Sequence, residues 1–378
     1  MSEELNHENI SSEQTQDATD KKCPACGGTV EFDPSSGGLV CPFCGTKYEI
    51  EAKKDEDEQT AAQELDFDSA EARGNCDWGA KKKTIICKMC GAESIYDELD
   101  LSNECPYCGS NQVMEEKDVD TLAPGGVCPF KVDKKSAGER FKSWIKGKLF
   151  CPKEAKEKAK PEAFKGVYIP VWTFDTDTDS DYTAQYGKER RVRNSKGETR
   201  TVIDWYTTSG TYRKFINDNL QIATNRYDTA ILKAIQPFNT EENLIYKPEY
   251  ITGFISERYS VGLDESWEKA QRDIENILRS GIISDVKSNH FTSHVRNVVF
   301  STDYSNIKFK YLLLPIWISS FKYKGKIYNF MVNGQTGKVG GKTPISPIRV
   351  AIAVIIAIVL LALAWNFFSG SGAAYVDM

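Results

Sequence analysis

The chain carries no basic surplus. Its 48 Lys and Arg stand against 54 Asp and Glu, a formal net charge of −6, so it lacks the field that draws a protein onto nucleic acid. No Gly-x-Ser-x-Gly elbow occurs, and no two carboxylates can be brought together from their spacing. Catalysis is left without a visible residue set, and a non-enzymatic role is expected. No secretory signal precedes the body, so the eleven cysteines point to metal or free thiols and not to disulfides. Histidine is scarce, with three in the chain; His290 and His294 form an H-x-x-x-H pair. The Val, Phe and Thr around them predict a strand, where positions i and i+4 lie roughly 13 Å apart and cannot share a metal.

What the chain does have begins near its end. Residues 350–368, VAIAVIIAIVLLALAWNFF, hold one amide and no charge. Such a helix spans roughly 28 Å, close to the hydrocarbon thickness of a bilayer, and it shows no polar stripe. Lys338, Lys342 and Arg349 precede it, while only Asp377 follows. The expectation is a single transmembrane helix over 349–368 with the body in the cytoplasm and a short extracytoplasmic tail over 369–378, a tail-anchored arrangement at the cell membrane.

Two cysteine sets repeat one spacing. Cys23-Pro-Ala-Cys26-Gly and Cys41-Pro-Phe-Cys44-Gly are separated by fourteen residues, and so are Cys87-Lys-Met-Cys90-Gly and Cys105-Pro-Tyr-Cys108-Gly. Four thiolates so spaced enclose Zn²⁺ tetrahedrally, and the glycine after each pair permits the positive φ of a knuckle turn. In the first set, Ser35-Ser36-Gly37-Gly38 lies between two apolar stretches and reads as a hairpin turn. Two Cys₄ ribbons are therefore expected, over 21–50 and 81–118, each holding one zinc. A closed thiolate shell leaves no position for water, so both ions should be structural.

The intervening chain is charged. Residues 1–20 hold six acidic and no basic side chains and read as a disordered tail, and 51–80, with ten acidic and three basic, read as a solvated linker. Cys76, beside Trp78, is expected to pack and not to ligate. Residues 131–165 reverse the balance, with twelve basic against five acidic side chains. Ser136-Ala-Gly-Glu139 has the form of a capping box, followed by Phe141, Trp144 and Ile145 at helical spacing. This helix, Ser136 to Lys148, is expected to pack its aromatic face into the core; the alternative is that it lies on anionic lipid.

From 119 to 345 an α+β, mostly β, domain is expected. Val167-Tyr-Ile-Pro-Val-Trp recurs 145 positions later as Leu312-Leu-Leu-Pro-Ile-Trp, which aligns Pro170 with Pro315 and Trp172 with Trp317. A helix precedes each motif; the second carries Trp267, Ala270, Ile274, Ile277 and Leu278 on one face and should end at Gly281. This reads as a duplicated helix-then-strand unit with its prolines at strand edges. A hairpin is expected at Asn194–Gly197. Thr336-Gly-Lys-Val-Gly-Gly-Lys-Thr343 nearly matches a phosphate loop but lacks the first glycine and the following soluble helix, so it reads as a turn.

The paired C-P-x-C-G knuckles, the G-V-Y-I-P-V-W and L-L-P-I-W strands and Tyr323-Lys-Gly-Lys with Asn333-Gly-Gln-Thr-Gly-Lys338 resemble a bacterial family of TFIIB-type zinc-ribbon membrane proteins, largely uncharacterised. Its members are often labelled replication or helicase components, and no helicase motif is visible here. The resemblance implies a membrane adaptor working with SPFH-domain or phage-shock-type membrane-stress proteins. All eight ribbon cysteines match the family pattern, and no catalytic residue is carried over. A membrane-tethered nucleic-acid binder is the alternative, favoured only by the ribbon type and the cations of 131–165.

Overall fold

The computed structural model describes residues 22–51, 60–69, 82–87, 93–97, 113–116, 122–159, 164–193 and 198–370. The expected acidic tail, Cys76 with Trp78, the turn at 194–197 and residues 371–378 lie outside them. In chain order the strands and helices are β1 (Glu31–Asp33), β2 (Gly38–Val40), β3 (Lys47–Tyr48), β4 (Leu65–Asp66), β5 (Lys82–Cys87), β6 (Glu93–Asp97), β7 (Val113–Glu116) and β8 (Gly126–Val127). Then come α1 (Lys134–Lys146), α2 (Lys153–Lys158), β9 (Lys165–Arg193), β10 (Thr199–Ile222), α3 (Thr229–Ile235), β11 (Leu244–Ile245) and β12 (Ile255–Glu257). The chain closes with α4 (Leu263–Asn289), β13 (His294–Tyr323), β14 (Lys326–Asn333), β15 (Val339–Gly341) and α5 (Pro347–Gly370). The class is α+β and mostly β.

Strand β9 is the axis of the main sheet. It runs for 29 residues, roughly 95 Å at ~3.3 Å per residue. The antiparallel β13, 30 residues long, follows one of its edges from Lys165↔Ile318 to Gly187↔His294, and β10 follows the other from Val171↔Ile222 to Arg193↔Thr199. Over the first third both faces are covered. Val167, Ile169, Val171, Leu312, Leu314 and Ile316 pack with Ile231, Leu232 and Ile235 of α3 on one side. Tyr168, Leu313 and Trp317 pack with α1, and Trp172, Phe174 and Phe309 with α4, on the other. Burial on both faces removes any need for alternation, which is why these strands read as unbroken apolar runs.

The two motif strands meet at equivalent positions. Ile169 pairs with Leu314, and the partners on either side are Tyr168↔Pro315 and Pro170↔Leu313, so the 145-residue offset of the motifs coincides with a local two-fold relation at this pair. Short parallel strands follow the same relation: β8 joins β13 at Gly126↔Leu312, and β12 joins β9 at Ile255↔Val167. Each motif tryptophan donates its indole N–H to a carbonyl two residues before a helix, Trp172 to Val261 before α4 at 3.0 Å and Trp317 to Val132 before α1 at 2.8 Å.

The prolines are not at a sheet edge. Pro170 and Pro315 sit in the two central strands and are tolerated because each faces a gap between flanking strands. Pro170 lies where β12 stops and β10 begins, Pro315 where β8 stops and β14 begins. Each still accepts through its carbonyl, from Ala223 N–H at 2.9 Å and from Gly334 N–H at 2.8 Å. The missing proline donor therefore leaves no strand partner unsatisfied.

Beyond residue 175 the three long strands form an arm with one covered face. Helix α4, 27 residues long, lies along it with Trp267, Ala270, Ile274, Leu278, Ile282 and Val286 against the sheet, while Ile277 points outward. It does not end at Gly281. A Cβ there would stand 2.3 Å from the Tyr212 hydroxyl, so this glycine permits a close helix–sheet approach and the helix continues for two more turns. The opposite face stays open and polar, with Asp177, Asp181, Thr183 and Thr211 exposed.

Helix α1 packs Ala137, Phe141 and Ile145 into the core, with Phe141 stacked on Phe330 at 3.9 Å, while Trp144, expected on the same face, is only partly buried. Its cap is Asp133, not Ser136. The Asp133 carboxylate accepts from the Ser136 backbone N–H at 2.7 Å and its hydroxyl at 3.0 Å, since a full negative charge suits the helix N-terminus better than a hydroxyl does. Within the stretch expected to be solvated linker, residues 60–69 instead pack on the sheet. β4 pairs with Lys308 and Phe309, and the Phe67 ring lies 5.8 Å from that of Trp267. Residues 333–339 form a turn: the Asn333 side-chain oxygen accepts from Gln335 and Thr336 N–H, and Gly337 takes φ +73°.

Helix α5 is long and apolar enough to cross a membrane over Pro347–Trp365, and none of that stretch is buried in the protein. Its entry is tied to the chain after α1: Ser346 N–H donates to the Phe150 carbonyl at 2.9 Å, and Arg349 donates to the carbonyls of Leu149 and Cys151 at 3.0 and 2.9 Å.

The close contact at Gly281 gives a sign test. In an ordinary helix interior Gly→Ala stabilises by roughly 1 kcal/mol, whereas overpacking costs roughly 1–3 kcal/mol. Gly281→Ala should therefore lower the thermal midpoint of the detergent-purified protein. A raised midpoint would mean that Tyr212 yields freely.

Candidate metal centre

The hairpin β1–β2 and strand β3 form a three-stranded antiparallel sheet that carries two knuckles. In the first, Gly27 N–H donates to the Cys23 carbonyl at 2.7 Å; in the second, Gly45 N–H donates to the Cys41 carbonyl at 2.8 Å. Both glycines take the left-handed conformation, φ +73° and +76°, as the spacing predicts. The knuckles face each other, and the sulfurs of Cys23, Cys26, Cys41 and Cys44 all lie within 4.8 Å of one another.

The donor set fits zinc. Zn–S bonds of about 2.3 Å in a tetrahedron place sulfurs about 3.8 Å apart, and the pairs Cys23–Cys44 and Cys26–Cys41 stand at 3.5 Å. Electrostatics argue the same way, because four sulfurs this close cannot all ionise without a cation between them. The Tyr48 hydroxyl, 3.0 Å from Cys23 Sγ, draws that thiol down to about 6. Cys44 is lowered by the Thr46 hydroxyl at 3.1 Å. Cys26 goes the other way: although the Gly28 N–H favours its thiolate, the neighbouring thiols of Cys41 and Cys44 outweigh it and push Cys26 up to about 12. With four thiolates as ligands no coordination position remains for water, so an ion here would supply folding energy and no Lewis-acid chemistry.

This ribbon is fastened to the body. Val30, Phe32 and Leu39 share a core with Tyr250 and Ile251, and Phe32 N–H donates to the Thr252 carbonyl at 3.0 Å. Gly253, at φ +82°, lets the Glu31 side chain pass; a Cβ there would meet it at 2.9 Å.

Of the second cysteine set, Cys87 ends β5, which pairs with both β6 and β7. Cys90, Cys105 and Cys108 lie outside the described residues. The two histidines go to separate partners, His290 to Thr208 at 3.1 Å and His294 to Glu189 at 2.8 Å. His290 caps the end of α4 and does not belong to a strand, so the expected strand spacing does not apply to the pair. Among the described residues, two cysteines beyond the ribbons, Cys128 and Cys151, are buried free thiols.

One carboxylate cluster escaped the sequence because its members come from four separate segments. Lys310 Nζ lies 2.7 Å from Asp218, 3.6 Å from Asp175 and 3.5 Å from Glu64. Burial raises the Asp175 carboxyl, and the Asp218 backbone N–H donates to it. Thr240 donates to Asp218 at 2.8 Å. Each member is held by the others, so the cluster reads as a lock between residues 60–69 and the β10 bulge.

Residues 21–61 match the family described as TFIIB zinc-binding. Over 333 residues the chain is 29% identical to the uncharacterised protein YdjG of Bacillus subtilis (strain 168), covering 87% of this chain and 91% of that relative. No solved structure matches the chain. A TFIIB-type ribbon and an uncharacterised bacterial relative are what the knuckle and strand motifs lead one to expect.

Replacing Cys26 by Ser should remove zinc from the first ribbon, read by elemental analysis of protein purified without chelator. Acid should do the same to the wild type. Thiols reprotonate as pH falls, and release should steepen below about 6, where Cys23 itself takes up a proton. Zinc content independent of pH between 8 and 5 would rule out thiolate ligation.

Proposed function

We propose that this chain is a membrane-anchored zinc-ribbon adaptor. In this reading α5 crosses the bilayer once, the body faces the cytoplasm, and two Cys₄ ribbons, each closed on a structural Zn²⁺, brace a duplicated helix-then-strand domain that recruits a protein partner to the membrane. The observation that carries it is α5 itself, apolar from Val350 to Trp365, unburied over that stretch, and held at its start by hydrogen bonds to the folded body.

Orientation rests on the flanking cations. Lys342 is neutralised by Asp228, but among the described residues the side chains of Lys338 and Arg349 donate to carbonyl oxygens and meet no carboxylate. The second zinc, through Cys87, Cys90, Cys105 and Cys108, is supported by the repeated spacing of the cysteine pairs. Duplication is supported by the common two-fold register at Ile169–Leu314. The ribbons leave no coordination position for chemistry, so the reading assigns no catalytic step. The resemblance supplies the partner class, an SPFH-domain or phage-shock-type membrane-stress protein. Nucleic acid is the weaker reading, because α1 buries its apolar face and leaves its cations beside the membrane entry.

Recovery from gently solubilised membranes should bring down such a partner with the full chain, and a salt series on nucleic-acid binding should find no steep dependence. Cutting the chain after Lys342 should release it to the soluble fraction with two zinc ions per chain. A truncated form that still sediments after a high-salt wash would break the single-anchor account. One ion would break the two-ribbon account.

A further inference from the structure

Beside the entry of α5 the protein has an open cationic cleft. It measures about 540 Å³ and lies between α1 and the turn after β14, lined by Arg140, Ser143, Trp144, Gly147, Lys148 and Lys338 among others. Among the described residues no carboxylate lines it. Lys338 donates to the Gln236 carbonyl, which leaves its charge uncompensated, and Lys148 lies over the Trp144 ring at 4.4 Å. Arg140 crosses the turn at Gly337, where a Cβ would stand 2.4 Å from its Nε. Three cations without a counter-charge define an anion site, and a guanidinium with a hydroxyl nearby suits phosphate oxygens.

Position decides which anion. Lys148 is followed at once by Leu149 and Phe150, which are 77% and 43% exposed, and Ile345 and Ile348 next to them in space are 68% and 71% exposed. The Leu149 carbonyl is itself a partner of Arg349, in the first turn of α5. A ring of exposed apolar side chains, a half-buried tryptophan and cations at one end of an apolar helix is the pattern of a protein surface at the headgroup level of a bilayer.

We propose that this cleft holds the phosphate headgroup of an anionic phospholipid in the leaflet that α5 enters. Arg140, Lys148 and Lys338 surround the phosphate, Ser143 donates to it, and Leu149 and Phe150 sit against the first part of the acyl chains. The inference rests on the reading of α5 as a membrane anchor, but it adds a specific lipid contact to a hydrophobic anchor that would not need one.

The test titrates phosphatidylglycerol onto the detergent-purified full chain and counts bound lipid by native mass spectrometry, with phosphatidylcholine as the uncharged control. Phosphatidylglycerol should bind more tightly than phosphatidylcholine. The triple variant Arg140→Gln, Lys148→Gln, Lys338→Gln should lose on the order of a hundredfold in affinity, about fivefold for each charge removed. Lys134→Gln with Lys135→Gln, outside the cleft, should change nothing, and matched thermal midpoints show that each variant is folded. Equal binding of phosphatidylglycerol by wild type and triple variant overturns the proposal, and so does tight binding of inorganic phosphate that displaces the lipid, which would make the cleft a site for a soluble anion. Cell fractionation separates the two failures. A wild-type chain absent from membranes refutes the anchor, while a membrane-bound chain with no headgroup preference refutes the cleft alone.

Discussion

The pairing of β9 with β13 is the constraint from which the rest of the structure follows. At Ile169↔Leu314 both strands are buried on both faces, so each layer of helix packs against a surface that this one register sets. A slip by one residue would turn Tyr168, Trp172 and Trp317 away from α1 and α4 and put Ile169 and Leu314 in their place. The indole hydrogen bonds to Val261 and Val132 reinforce the register, since each tryptophan reaches its carbonyl only from its own face. β8 and β12 fix the outer edges of the same pair, and the two prolines mark where those edges change partner.

The sequence made the middle of this arrangement visible and its ends invisible. The recurrence of the P-x-W strands stands out because two-sided burial requires apolar residues without interruption. The arm gave a weaker signal: in Thr176-Asp-Thr-Asp-Ser-Asp181 the positions under α4 are Thr and Ser, small polar groups that a helix can cover without an apolar alternation. Gly281 shows another limit. A glycine that ends a helix and one that admits a tyrosine ring look alike until the strand carrying Tyr212 is placed beside it. Ser136 misled for a related reason, because Asp133 three residues earlier caps more strongly and the serine became its donor.

The first cysteine set was legible in full, since knuckle geometry is local and the positive φ of Gly27 and Gly45 follows from the glycines themselves. How the ribbon joins the body was not. That joint depends on Phe32 meeting Thr252 and Gly253, more than two hundred residues further along the chain, with no motif in common. The same distance in sequence hid the Lys310 cluster, where four segments each supply one charge.

The junction between the body and α5 turns on how Arg349 is held. A guanidinium in the first turn of an apolar helix needs partners for its donors. Here two carbonyls, those of Leu149 and Cys151, accept from it. Carbonyls satisfy hydrogen bonds without cancelling charge, in contrast to Asp228, which neutralises Lys342 a few residues earlier. The chain thus spends its carboxylate on the cation farther from α5 and leaves the nearer one positive. An uncancelled charge therefore stands at the start of the apolar helix. The same carbonyls belong to the segment that follows α1, and α1 in turn stacks Phe141 on Phe330 of β14, next to the central pair of strands.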